Sequence, residues 1–418
     1  MIFQRMNPAA WPGGWPAALI LAALGVLWWS PSGGLTQAIL AGTGLVGLWN
    51  YRKVWAAWKN PAGICFLLGG GWAALSLLWS FLPAGSARDL ARWAPVALTV
   101  LALPVVLDRP GRIWLALTGS AVILTARLAL DLARLYSALG HTYLFSYSRF
   151  QLPYLYTHPN VSSMMAGLCV LILAVRLLAG TPRAIWKALL ILGLAINLAY
   201  LLVMASRGPQ VAFAAVILVV PVLIAPGWRT RLAALGLAIL LGIGLWQGAH
   251  RLNPRFGDDT MKNFNRRDTI WGHVSMLVEE KPALGYGFGK RVFRAAVYDH
   301  PEQRPPRGPI EYPHTHSYWL MIYFQGGTVA LALWGLAWFL LEARLARFSV
   351  RSARLESTGG ARMRTQLLPA LLLSGTVFVL IYGIVDYPDH AIRHAQFYLA
   401  GLAMALTRLP VAGNPVPE

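Results

Sequence analysis

Apolar runs of about 16 to 24 residues recur along the whole of this chain, each long enough as a helix to cross about 30 Å of hydrocarbon. A membrane β-barrel needs short segments that alternate apolar and polar, and none appear. The pattern therefore predicts an all-α polytopic membrane protein. Twelve spans are expected, near 15–30, 35–51, 63–82, 92–107, 113–135, 161–180, 184–204, 209–226, 231–248, 316–341, 366–386 and 392–408. The composition agrees: 57% of residues are hydrophobic, only 12% are charged, and the mean hydropathy is +0.53. Three regions follow: residues 1–248 with nine spans, a hydrophilic loop over 249–315, and residues 316–418 with three spans and a short tail. The first run begins near Trp15 and leads into further membrane segments, so it reads as a retained signal anchor.

The net charge of +20 would suit nucleic acid, but the basic residues lie mostly at the ends of apolar runs. There they orient helices and meet anionic lipid, so no nucleic-acid partner is expected. One face collects Arg52, Lys53, Lys59, Arg109, Arg112, Arg183, Lys187, Arg229 and Arg231, and later Arg344, Arg347, Arg351 and Arg354. By the positive-inside rule this face is cytoplasmic. Both termini then lie in the cytoplasm, and 249–315 becomes a long periplasmic loop. The two cysteines, Cys65 and Cys169, lie far apart inside apolar runs, so neither a disulfide framework nor a CxxC motif is present.

Three segments share the opposite face. Residues 136–160 end in Tyr156-Thr157-His158-Pro159-Asn160; residues 205–210 form a tight Ser206-Arg207-Gly208-Pro209 turn; and 249–315 is itself basic. Long translocated segments escape the positive-inside bias, but the charge still calls for an explanation, and an anionic ligand is the simplest. Within that loop Ile270, Trp271, Val274, Leu277 and Val278 fall on one helical stripe, and Lys281-Pro282 ends it. This predicts an amphipathic helix that lies on the membrane surface or caps a cavity. Arg267 stands at its start, where backbone N–H groups and the helix dipole also favour an anion. A guanidinium fork binds phosphate oxygens in pairs, whereas the competing reading is a headgroup contact. Arg266 beside it is a second candidate. Gly285-Tyr286-Gly287-Phe288-Gly289 follows a helix rather than a strand and reads as a turn, not a nucleotide loop.

His314 and His316 form an HxH pair at the loop's exit. Two ligands do not make a metal site, and no neighbouring cysteine or acidic cluster completes one, so no metal or other cofactor is expected. A neutral imidazole suits a general base near neutral pH. His316 begins a span and is the stronger candidate, with His314 the weaker. Arg207, an ionisable residue at the edge of hydrocarbon, is either an interfacial anchor or functional. Asp386 and Asp389, in the segment Asp386-Tyr387-Pro388-Asp389-His390 on the same face, each offer a carboxylate to orient His316 or pair with an arginine. Asp389 is the preferred of the two. His158 and Asn160 are further candidates.

Taken together, Arg267-Asp268-Thr269-Ile270-Trp271, Glu280-Lys281-Pro282-Ala283-Leu284-Gly285-Tyr286-Gly287, His316-Ser317 with Gly327-Thr328, Ser206-Arg207-Gly208 and His158-Pro159-Asn160 resemble the O-antigen ligases. That family lies within a superfamily that includes O-antigen polymerases and other lipid-linked oligosaccharide transferases. The chain departs from the pattern in two places. The histidine segment reads Gly327-Thr328-Val329-Ala330 where the family often has Gly-x-x-Gly, and Asn265-Arg266 precedes Arg267 where a small pair is usual. The resemblance implies a GT-C-like, inverting, metal-independent glycosyltransferase in the bacterial inner membrane. Such enzymes move a polysaccharide from undecaprenyl diphosphate (the donor) to a sugar hydroxyl of lipid A-core (the acceptor) on the periplasmic face. On that basis His316 and Asp389 would act at the acceptor hydroxyl, and Arg267, Arg207 and Arg266 would hold the diphosphate. A polymerase uses the same donor with another acceptor. A transporter or flippase of an anionic lipid is the reading from a different class, but its polar residues would line a path through the bilayer rather than one face.

Overall fold

The computed structural model describes residues 34–143, 159–180, 183–204, 206–225, 227–252, 267–299, 314–354, 360–386 and 391–408. These form fourteen α-helices, and no strand occurs among the described residues. In chain order they are α1 (Gly34–Trp49), α2 (Tyr51–Trp58), α3 (Pro61–Leu75), α4 (Pro83–Val106), α5 (Pro110–Tyr143), α6 (Pro159–Leu178) and α7 (Ala184–Val203). There follow α8 (Arg207–Ile224), α9 (Trp228–Leu252), α10 (Arg267–Glu280), α11 (Lys290–Asp299), α12 (Tyr318–Arg354), α13 (Gly360–Val385) and α14 (Ala391–Thr407). Seven helical stretches among the described residues are long and apolar enough to cross a membrane, and two more, Arg207–Leu223 and Ala395–Thr407, are apolar but shorter. The run at 15–30 lies outside the described residues.

Local sequence explains where the helices start. Pro61 and Pro83 occupy first-turn positions whose missing N–H costs nothing, and Asn60 caps α3 through its side chain, which accepts from Gly63 N–H at 3.2 Å. The bundle is knit by α12, which packs on α3 and α13, and by α13, which also meets α6, α8 and α14. Where helices approach closely, small residues make room: Gly44 and Gly47 of α1 lie against Leu98 and Ala102 of α4.

The expected span at 316–341 is not a continuous helix. Its regular part begins at Tyr318, and it breaks at Gly327, whose φ is +65° and ψ −163°. A break in apolar surroundings frees backbone groups that must be paired elsewhere. The segment after α10 folds back to do this. Tyr286 N–H donates to Phe324 O at 2.8 Å, Gly287 N–H to Gln325 O at 3.0 Å, and Thr328 N–H to Pro282 O at 2.8 Å. The Trp72 indole N–H takes Gly326 O at 2.9 Å, and the Tyr286 ring stacks on Phe324 with centroids 4.9 Å apart. A Cβ on Gly327 would come 2.1 Å from Ala283 O, and one on Gly285, also at positive φ, 2.5 Å from Phe324 O. The glycine-rich stretch is thus a turn, as expected, but a turn built to seal a broken helix.

The amphipathic helix forms where the stripe predicts. Ile270, Val274, Leu277 and Val278 of α10 are buried, and α10 packs on α12. Next in the chain, α11 lies on α4. There Arg291 pairs with the buried Asp89, which also accepts from the Arg291 backbone N–H at 3.1 Å. Arg291, one of the basic residues of 249–315, is not a solvated charge, because a carboxylate 202 residues earlier in the chain holds it.

Candidate active site at one end of the bundle

The site assembles around Asp386, the residue that follows the last turn of α13. Asp386 is 2% exposed, so its charge must be met by protein groups. Its Oδ1 faces Nδ1 of His316 at 3.1 Å. Its Oδ2 accepts from Asn160 Nδ2 at 2.6 Å and from the Tyr382 hydroxyl at 3.1 Å. A guanidinium nitrogen of Arg267 lies 3.8 Å from the same oxygen, a charge contact too long for a hydrogen bond. Burial alone would raise the Asp386 pKa; the His316 hydrogen bond, then the charges of Arg267, His316 and His314, outweigh it and hold the carboxyl well below the usual carboxylate range. An ionised Asp386 fixes the proton of His316 on Nδ1, leaving Nε2 with its lone pair.

His316 does not belong to the helix, which begins two residues later. It has φ +51°, the left-handed region that β-carbon-bearing residues seldom adopt, and among the described residues it is the only non-glycine with positive φ. The surrounding turn holds it there. Its backbone N–H donates to His314 Nδ1 at 3.3 Å, and the two imidazoles lie with centroids 4.2 Å apart. Thr315 is buried, and its hydroxyl oxygen accepts the Ser317 N–H at 3.2 Å. The Trp271 indole N–H reaches over from α10 to Thr315 O at 3.0 Å. Trp271, expected on the apolar stripe, is therefore also the hook between the amphipathic helix and the histidine turn.

Two other helix starts converge on the same carboxylate. Asn160 lies in the first turn of α6, after Pro159, and its Oδ1 accepts from the Ser206 hydroxyl at 2.7 Å. Ser206 occupies the N-cap of α8 but makes no side-chain capping bond; its hydroxyl serves Asn160 instead. Arg207 is the next residue and the first of α8, half-buried. Gly208 lets that end of α8 close on α13, since a Cβ there would meet the Tyr382 ring at 3.1 Å. Arg267 and Arg207 thus each open a helix, one facing Asp386 directly and the other one residue from a hydrogen-bonded chain to it. Arginine at a helix start is a doubly favoured place for an anion.

Of the sequence candidates, the structure brings together Arg267, His316, His314, Asp386 and Asn160, with Arg207 adjoining through Ser206. Arg266, His158 and Asp389 lie outside the described residues. Among the described residues the carboxylate on His316 is Asp386, the less favoured of the two acids in the sequence reading. Tyr382 and Ser206 were missed; only their place in the folded chain, four residues before Asp386 and beside Arg207, marks them. Another expectation needs correcting: an acidic group does join the HxH pair. One ligand atom each from His314, His316 and Asp386 lie within 4.8 Å of one another. Asp386, however, already accepts from three side chains and faces a guanidinium, which repels a cation and suits an anion.

Residues 192–335 match the family model described as O-Antigen ligase. Over this stretch the chain is similar to the O-antigen ligase family. The match runs from within α7 to the middle of α12, and so contains Arg207, Arg267, Trp271 and His316. The matched stretch therefore supplies the imidazole and both arginines, whereas Asn160 and Asp386 lie on either side of it. No curated protein matches the chain in sequence.

Proposed function

We propose that this protein is an O-antigen ligase that transfers a polysaccharide from undecaprenyl diphosphate to a sugar hydroxyl of lipid A-core. The observation that carries the reading is a single buried carboxylate, Asp386, that faces both His316 and Arg267 and is joined through Asn160 to Ser206, the neighbour of Arg207. His316 Nε2 takes the proton of the acceptor hydroxyl. The oxygen attacks the anomeric carbon from the side opposite the diphosphate, a new C–O bond forms, and the diphosphate leaves with the bonding pair. Inversion follows from that single displacement. Arg267 and Arg207 receive the charge that develops on the leaving group, so neither a cation nor a general acid is needed. The reading includes twelve spans, a cytoplasmic position for both termini and a periplasmic site. In the same reading 249–315 is the functional loop between helical regions 1–248 and 316–418.

The test uses purified protein with a defined undecaprenyl-diphosphate glycan, with and without lipid A-core, read on a gel. A ligase gives glycosylated lipid A-core and nothing without the acceptor. Lengthened undecaprenyl-linked glycan in the absence of lipid A-core would instead identify a polymerase, and no product in either tube would remove the transferase reading.

A further inference from the structure

Asp386 is held by groups to which the proposed reaction gives no step of their own. A carboxylate can swing about its Cβ–Cγ bond, and two donors on Oδ2 oppose that swing. Asn160 Nδ2–H reaches this oxygen at 2.6 Å and the Tyr382 hydroxyl at 3.1 Å, while Oδ1 faces His316. One donor stands in the first turn of α6, the other in the last turn of α13. The start of α8 seats both. An ionised carboxylate can only accept, so the Asn160 amide turns its NH2 to Asp386 and its Oδ1 away. That oxygen accepts the Ser206 hydroxyl at 2.7 Å. Serine at an N-cap ordinarily accepts from its own helix, yet buried Ser206 makes no capping bond and donates to Asn160 instead. Tyr382 is fully buried, and Gly208 leaves its ring room: a Cβ there would lie 3.1 Å from Cε2 and 3.4 Å from Cδ2. The residues on either side of Arg207 thus place the two donors, one by a hydrogen bond and the other by leaving space.

We propose that Asn160 and Tyr382 are positioning residues that fix Asp386 on His316, and that Ser206 and Gly208 seat them, so that the turn carrying Arg207 also sets the base. The inference rests on the transferase reading above and adds to it a tie between the donor's arginine and the acceptor's base. The charged and titratable groups around His316 are Asp386 at the end of α13, Arg267 at the start of α10 and His314 in its own turn. Asn160 and Tyr382 are neutral, and each takes a share of the carboxylate's charge. Without one of them more of that charge falls on His316, which stabilises the imidazolium. The neutral base is then lost at a higher pH as the solution is acidified.

The test reads the His316 proton in two ways on full-length protein. Carbethoxylation of His316 by diethyl pyrocarbonate, followed across pH by mass spectrometry, needs no substrate. The acid limb of kcat/KM for glycan transfer reads the same group in the working enzyme. Tyr382→Phe and Ser206→Ala should each move both midpoints up by about half a pH unit to one unit. Each should also lower the plateau kcat by up to about tenfold and leave donor KM within about threefold. In an Asn160→Leu background, Ser206→Ala should add no further shift, because Ser206 acts through Asn160. A loss of kcat that is uniform across pH, with both midpoints unmoved, would make these residues packing alone and overturn the proposal. A Ser206→Ala variant that raises donor KM and leaves the midpoints in place would also overturn it, since Ser206 would then serve Arg207. Shifted carbethoxylation midpoints in a protein whose wild type transfers no glycan would uphold the clamp on Asp386 and overturn the transferase reading.

Discussion

At the scale of single residues, the proposed mechanism turns on Asp386. Its folded pKa is depressed, so its contribution to stability is present above the unfolded carboxylate value of about 3.9 and is lost only as pH falls through the lower folded value. Thermal stability in detergent should therefore owe no slope to this group between about pH 5 and 8. Asp386→Asn should lower kcat by about 10²–10⁴, because an amide no longer dictates which nitrogen of His316 carries the proton. A variant with wild-type kcat would detach Asp386 from the reaction. In the proposed function the diphosphate is read by fork geometry as well as charge, so Arg267→Lys and Arg207→Lys should each lose most activity and weaken donor binding. Arg291 is unsuitable as a control because it pairs with Asp89; Arg88, exposed at the start of the same helix, serves instead, and Arg88→Lys should be silent. Undiminished transfer by both lysine variants would mean that these arginines hold only lipid headgroups.

At the scale of elements, the break in α12 is held by the segment that follows α10. Gly327 combines a positive φ with the closest backbone approach in the loop, so Gly327→Ala has no relaxed solution. We expect a loss of about 1–3 kcal/mol, seen as a lowered melting temperature in detergent, with activity falling alongside. An unchanged melting temperature would show that the backbone seal at 282–287 is dispensable. Much of this level was legible in the sequence. Apolar runs give most helices to within a few residues, and the stripe at 270–278 gives α10. The long-range pairings were not legible. Asp386 and Asp389 are three residues apart, and choosing between them requires knowing where α13 ends and which way its last turn points. Asn160 with Ser206, Arg291 with Asp89 and Trp72 with Gly326 join residues 46, 202 and 254 positions apart, and no local spacing announces them.

At the scale of the molecule, the site lies at one end of the bundle, where the starts of α6, α8 and α10 meet the end of α13. The proposed orientation can be checked with Gln303→Cys in a background lacking Cys65 and Cys169. An impermeant thiol reagent added to cells with a permeable outer membrane should label it. Labelling only after lysis of the inner membrane would place the loop in the cytoplasm and remove it from the donor's glycan. In the proposed mechanism the guanidinium groups take the place of a cation at the diphosphate, so transfer should also persist in excess EDTA. Inhibition reversed by Zn²⁺ would make His314, His316 and Asp386 a metal centre.

The central claim, that His316 is the base of a transferase whose arginines hold the donor, is tested most directly by one comparison on His316→Ala and the wild type. Donor binding is measured with undecaprenyl-diphosphate glycan, and single-turnover transfer to lipid A-core with the same preparations. The account predicts binding within a few-fold of wild type and transfer slowed by about 10²–10⁴. Transfer within a few-fold of wild type, or loss of binding as complete as the loss of transfer, would contradict it.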